Sequence, residues 1–233
     1  MNLIEEVEEL EKELHNAIEN KEWDVPKEAP IECFDPELSY ELTGYKPINK
    51  TKGLDFNPDW FTEARDTYEK TGKYCAYLPG SKKYREFWRE QFIRCKYGYT
   101  VNGYTVTGFH YFFLNFYTLP LVHKVVEAGK GRPEGFPTFT VAQYIWFHYL
   151  ALCCKLLKNA ALMKTRGCGF SEINAAMAAA EFTIIRESNT IITCYDRGKL
   201  EKTLKKAWHA LAFLDKNTQG GMSKNKQIKN TEL

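Results

Sequence analysis

The sequence predicts an α/β fold, a parallel sheet with flanking helices preceded by an α-helical and β-hairpin extension. Three observations predict it. Two short apolar runs, 160–163 and 190–195, bracket a glycine-containing loop and an alanine-rich stretch with few helix breakers. Asn102-Gly103 separates two β-branched and aromatic runs, the strongest short-range hairpin signal. Amphipathic helical periodicity recurs upstream of both. A strand–helix–strand unit of this kind places its strands parallel through a right-handed connection.

Composition bounds what such a chain can be. Of 233 residues, 44% are apolar and 15% aromatic, enough for one sizeable core. The net charge of +2 and the apolar content exclude a disordered chain. No apolar run reaches about 18 residues, which excludes a spanning helix. The acidic start, Asn2-Leu3-Ile4-Glu5-Glu6, lacks the basic region of a signal peptide. The seven cysteines (33, 75, 95, 153, 154, 168 and 194) are odd in number and include no C-x-x-C pair. That pattern argues against a disulfide framework or structural zinc and for a reducing, cytoplasmic compartment. Charge is unevenly spread, at −10 over residues 1–40 and +6 over 197–233.

In chain order, Leu3, Val7, Leu10, Leu14 and Ala17 form the apolar stripe of a helix over about 3–20, opened by an Asn2/Glu5 capping pattern. It packs on its own domain, or serves as a coiled coil or a partner-docking arm. Frequent prolines over 24–60 predict an extended arm, followed by a helix at 59–70 and a turn at Leu78-Pro79-Gly80-Ser81. Residues 82–96 alternate basic side chains with aromatics. That pattern fits either a nucleic-acid surface or a solvated basic face over an aromatic core stripe. After the hairpin, a helix from Thr107 to Phe116 is apolar nearly all round and therefore buried. His110 within it is a ligand candidate or a hydrogen-bonded core histidine. A strand at 121–127 and a Gly/Pro loop lead to a helix over 140–158, opened by Thr140 with Gln143 as a capping box. Residues 1–80, 81–139 and 140–233 thus form an acidic helix and arm, an aromatic lead-in, and an α/β core with a basic tail.

The loop Lys164-Thr165-Arg166-Gly167-Cys168-Gly169-Phe170-Ser171 has the composition of a phosphate cradle. Glycines permit the positive φ of a backbone nest. The following helix contributes the positive end of its dipole. Ser171 can reach a magnesium ion, and Lys164 and Arg166 add fixed charge. The order departs from the usual G-x-x-x-x-G-K-[ST]. Phe170 occupies the usual lysine position and Lys164 that of the first glycine. A plain glycine turn between a core strand and a core helix is the alternative.

Three stretches resemble the ATPase domain of the large terminase subunit of tailed bacteriophages, whose Walker A lysine is displaced to the start of the loop. They are Phe87-Trp88-Arg89-Glu90 through Gly98-Tyr99, Thr107–Phe116, and Phe136-Pro137 through Gln143-Tyr144 to Lys164–Ser171. They cover roughly residues 80–210. The resemblance implies the first half of a P-loop NTPase, binding ATP and Mg²⁺ within a viral DNA-packaging motor. It implies that Gln143 contacts adenine and that Lys164 binds phosphate, with Thr165 and Arg166 beside it in the loop. Gly167, Cys168 and Gly169 would cradle the β-phosphate ahead of Phe170, and Ser171 would hold Mg²⁺. Asp196 and Arg197 would form a nucleotide-sensing or DNA-facing turn. Duplex DNA, a portal protein and a small terminase subunit are the implied partners, in the host cytoplasm at a procapsid portal, with no membrane.

No apolar strand ends in paired acids, the arrangement that coordinates Mg²⁺ and activates water in such motors. Leu211-Ala212-Phe213-Leu214-Asp215 is the nearest string, and it lies in a helical pattern. The acidic nuclease cluster is absent as well. The chain therefore reads as the front of a terminase, inactive by itself, with an unfinished sheet edge that favours self-association. The alternatives are a docking or regulatory module with a vestigial loop, and a small P-loop kinase, for which no arginine-rich lid is present.

Overall fold

The chain divides into two units, Met1–Asp35 and Pro36–Leu233. The computed structural model describes residues 36–48, 56–121, 133–164 and 167–222, all in the second unit. The expected helix at 3–20 and most of the expected strand at 121–127 lie outside the described residues. So do Thr165 and Arg166.

The described residues are helical apart from two small sheets. Helix α1 (Pro36–Thr43) lies in the proline-rich arm, where sequence predicts only extended chain. Its proline stands at the first helical position, where a missing N–H costs nothing. A 3₁₀ turn (Pro58–Phe61), capped by the Asn57 side chain, leads into α2 (Glu63–Thr71). Helix α3 (Lys82–Tyr97) is capped by Ser81. Its Trp88, Gln91 and Cys95 are buried, while Lys82, Lys83, Arg85 and Arg89 are solvated. The basic–aromatic alternation is therefore a core stripe under a charged face. The one inward-turned arginine, Arg94, lies 3.9 Å over the Tyr99 ring and donates to the Tyr111 hydroxyl, which donates to Gln91.

Strands β1 (Tyr99–Val101) and β2 (Tyr104–Val106) pair antiparallel, joined by Asn102 and Gly103 at φ of +50° and +79°. Both central residues have positive φ, which matches the right-handed twist of the flanking strands. Helix α4 (Gly108–Phe116) follows. All its residues except Phe109 are buried. It is the centre of the fold, packed by α2, α3 and two later helices, α5 (Val141–Lys155) and α6 (Phe170–Ile184). Strands β3 (Leu119–Pro120) and β4 (Glu134–Gly135) form the second antiparallel pair. Helix α7 (Arg197–Asn217) packs along α6, and the turn after it returns to α3 through a Tyr84 hydroxyl bond to the Gln219 carbonyl. One aromatic core draws side chains from Phe56 to Met222.

Asn115 ties the arm to this core. Its amide donates to the Phe61 and Tyr111 carbonyls at 2.8 and 3.0 Å, and its side-chain oxygen accepts from the Arg65 N–H at 3.2 Å. Asn115→Leu would leave the buried Phe61 carbonyl and the Arg65 N–H unpaired. An expected loss of about 2 kcal/mol follows, read as a lower urea midpoint with an unchanged m-value.

The parallel sheet expected from sequence is not formed. Both sheets among the described residues are antiparallel pairs, and neither contains residues 160–163 or 190–195. The fold is mainly helical, and a P-loop NTPase sheet is not supported. The physical reason is that apolar, β-branched composition makes a run fit for a strand but supplies no hydrogen-bonding neighbour. With no strand beside them, both runs stand as unpaired chain, largely exposed. The sheet edge expected to drive self-association is likewise not present as an edge.

Candidate functional site

The two described glycines of the loop, Gly167 and Gly169, enter α6 in left-handed backbone conformations. Gly167 has φ of +90° and Gly169, the N-cap of α6, φ of +69°. Among the described residues a Cβ at either position would meet nothing within 4 Å, so glycine is needed here for its dihedrals. Gly167, Cys168, Gly169 and Ser171 are exposed, as is Lys164 at the start of the loop. The Gly169 carbonyl accepts from the amides of Glu172 and Ile173. The amides of Phe170 and Ser171 precede the first intrahelical bonds, as in any first helical turn.

Phe170 fixes the loop to the body. It is half-buried, with its ring 4.8 Å edge-on from Trp146 of α5. Gln143 lies one turn before Trp146 on the same side of α5. In this structure Gln143 completes the capping box. Its side-chain oxygen accepts from the Thr140 N–H at 3.1 Å, and its own N–H donates to the Thr140 hydroxyl at 3.2 Å. Contact with a base would require it to leave that cap.

The sequence did not point to Glu172 as part of the site. An acid in the first turn of a helix is favoured by the dipole but would repel a phosphate. Here its carboxylate is neutralised by Lys206 of α7 at 2.7 Å and accepts from the Tyr117 hydroxyl at 2.6 Å. Burial, and then the Glu172 carboxylate, hold the Tyr117 phenol well above its usual range, so it remains a donor. One turn along α7, His209 contacts Glu134 at 3.1 Å and the Thr118 hydroxyl at 3.4 Å. Only the first-turn position of Glu172 was legible beforehand. Its partners come from elements distant in sequence.

Asp196 and Arg197 have partners on their own helix. Asp196 is the N-cap of α7, accepting from the Lys199 N–H at 2.8 Å, and Arg197 pairs with Glu201 at 3.0 Å one turn on. Lys206, which marks the level of Glu172, lies ten residues further along α7, about 15 Å of helical rise. Both residues have full local accounts as a cap and a surface pair. His110, the other ligand candidate, is fully buried and stacked between Phe139 and Phe147. Cys75, Cys95 and Cys153 are buried free thiols, while Cys154, Cys168 and Cys194 are exposed.

Among the described residues, no group of three or more His, Cys, Asp or Glu side chains is placed to hold a metal ion. None of the described helices is long and apolar enough to cross a membrane. Comparison with known proteins found no family model that matches the chain, no matching curated protein and no matching solved structure.

Proposed function

We propose that the loop 164–171 binds the phosphates of ATP and that the chain is the ATP-binding portion of a viral DNA-packaging motor of the large terminase type. The observation that carries this reading is the pair of positive-φ glycines at the start of a 15-residue helix. Two further features support it. Lys164 stands exposed at the start of the loop, and the one acid in the first turn of α6 is already neutralised by Lys206. The resemblance of the loop and its aromatic lead-in to terminases supports the choice of ATP. The parallel sheet is not part of this reading.

In the proposed complex the backbone of Gly167 to Gly169 and the first amides of α6 hold the phosphates, and Lys164 offsets their charge. Mg²⁺ would be held through the nucleotide, with the Ser171 hydroxyl as its protein ligand, and would neutralise phosphate charge. Phe170 holds the loop against Trp146. Duplex DNA, a portal protein and a small terminase subunit are the partners this reading implies, in the cytoplasm of a bacterial host. No described strand presents paired acids to activate water, so the 233-residue chain is expected to turn over ATP negligibly.

Thermal unfolding with and without Mg·ATP tests the assignment. The wild type should show a saturable upward shift, absent in Lys164→Ala. Phe170→Ala should lower the midpoint without ligand but keep the ATP-dependent increment. An undiminished ATP shift in Lys164→Ala would remove the displaced lysine from the site.

A further inference from the structure

The two unpaired runs hold three of the four most exposed large hydrophobic side chains among the described residues. Met163 is fully exposed, Ile191 is 78% exposed and Tyr195 89%, with Leu162 exposed beside them. Surface leucines scattered singly need no account, but runs of consecutive apolar residues outside any element do. Each run is tethered to its neighbouring helix. Tyr149 of α5 hydrogen-bonds the Ala161 backbone, and Thr190 donates to the Glu181 carboxylate of α6. Glu181 is also within electrostatic reach of Cys154, near the end of α5. The first run follows α5, and the second links α6 to α7.

We propose that residues 190–195 form a homotypic β-pairing surface, through which two copies of this chain associate with the 160–163 run packing alongside. Three features favour a second copy as the occupant. First, Asn189-Thr190-Ile191-Ile192-Thr193-Cys194-Tyr195 contains no charge, proline or glycine. An antiparallel copy of the same run meets no like charge and no missing donor, whereas natural edges avoid such pairing with lysines and prolines. Second, its Thr, Ile and Tyr content suits cross-strand contacts. Third, Met163, Ile191 and Tyr195 are 100%, 78% and 89% exposed, so an interface that covers them removes three large side chains from water. The small net charge of +2 opposes association only weakly. This inference is independent of nucleotide binding.

Sedimentation velocity across a wide concentration range tests it, with reductant present because Cys194 is exposed and a disulfide would mimic the dimer. The expected result is a reversible monomer–dimer equilibrium. Ile191→Lys puts a charge that must be desolvated into each strand of the pair and, being at an exposed site, leaves the fold intact. It should raise the dimer Kd by about tenfold or more, and Met163→Lys by less. Amide hydrogen exchange at 190–194 should slow as the dimer fraction grows. A chain that stays monomeric throughout overturns the proposal. So does a dimer that Ile191→Lys leaves unchanged, or one whose protected amides lie elsewhere.

Discussion

Gly108→Ala is expected to cost about 3 kcal/mol or more, a large part of the stability of a typical domain. A Cβ at this position would stand 2.2 Å from the Cys95 carbonyl oxygen, 2.8 Å from its carbonyl carbon and 3.0 Å from the Lys96 carbonyl carbon. All three are backbone atoms of α3 and cannot swing aside like a side-chain tip. The variant must either separate α4 from α3 or break the last turn of α3. Because α4 is the centre of the core, either response loosens the aromatic packing around it. Chemical denaturation should show a much lower midpoint, and near-ultraviolet circular dichroism a weakened aromatic signal. Gly198→Ala is the control. Its Cβ would meet only the Asp196 carboxylate at 3.4 Å, within the first turn of α7, so it should be neutral or slightly stabilising. Equal stability of Gly108→Ala and wild type would refute the close α3–α4 contact.

Acidification should destabilise the protein by a comparable or larger amount. His110 is fully buried, and among the described residues neither ring nitrogen has a hydrogen-bond partner. Burial, assisted by His148, lowers its pKa to about 3. Burial likewise lowers His148 to about 4, against the opposing bond from its Nε2 to the Thr105 carbonyl. Both folded values lie below the ordinary 6.5, so the unfolded chain takes up these protons first as pH falls. The stability of the neutral rings is intact above about 6.5 and is lost from there downward, until pH reaches the folded values near 3 and 4. The slope is about 1.4 kcal/mol per pH unit for each histidine, so a drop of about two units costs on the order of 5 kcal/mol. Unfolding free energies measured across this range should fall accordingly. His110→Leu should remove about half of the slope, and a flat profile in the wild type would contradict the burial of neutral rings.

Local signals in this sequence were reliable where the chemistry is local. The Asn102-Gly103 turn, the Thr140–Gln143 capping box and the amphipathic stripe of α3 are each decided within a few residues, and each forms. Positive φ at Gly167 and Gly169 was legible for the same reason. The runs at 160–163 and 190–195 have strand composition yet form no strand, because a strand is made by its neighbour. Composition shows that a run could pair, not that a partner is beside it. Gln143 carried two incompatible roles in sequence, and the cap, which needs only Thr140, is the one this structure contains. Glu172 was passed over because its significance lies in Lys206 and Tyr117, which only tertiary structure brings to it. His110 was weighed as a hydrogen-bonded core residue, yet it is held by stacking.

Phosphate binding by the glycine loop at the start of α6 can be read at the loop itself. Backbone amide chemical shifts during a Mg·ATP titration of the intact chain test it most directly. Saturable shifts concentrated on Gly167, Cys168, Gly169 and Ser171, and absent in Lys164→Ala, are expected. No saturable shift in the loop, or saturable shifts confined to other parts of the chain, would contradict it.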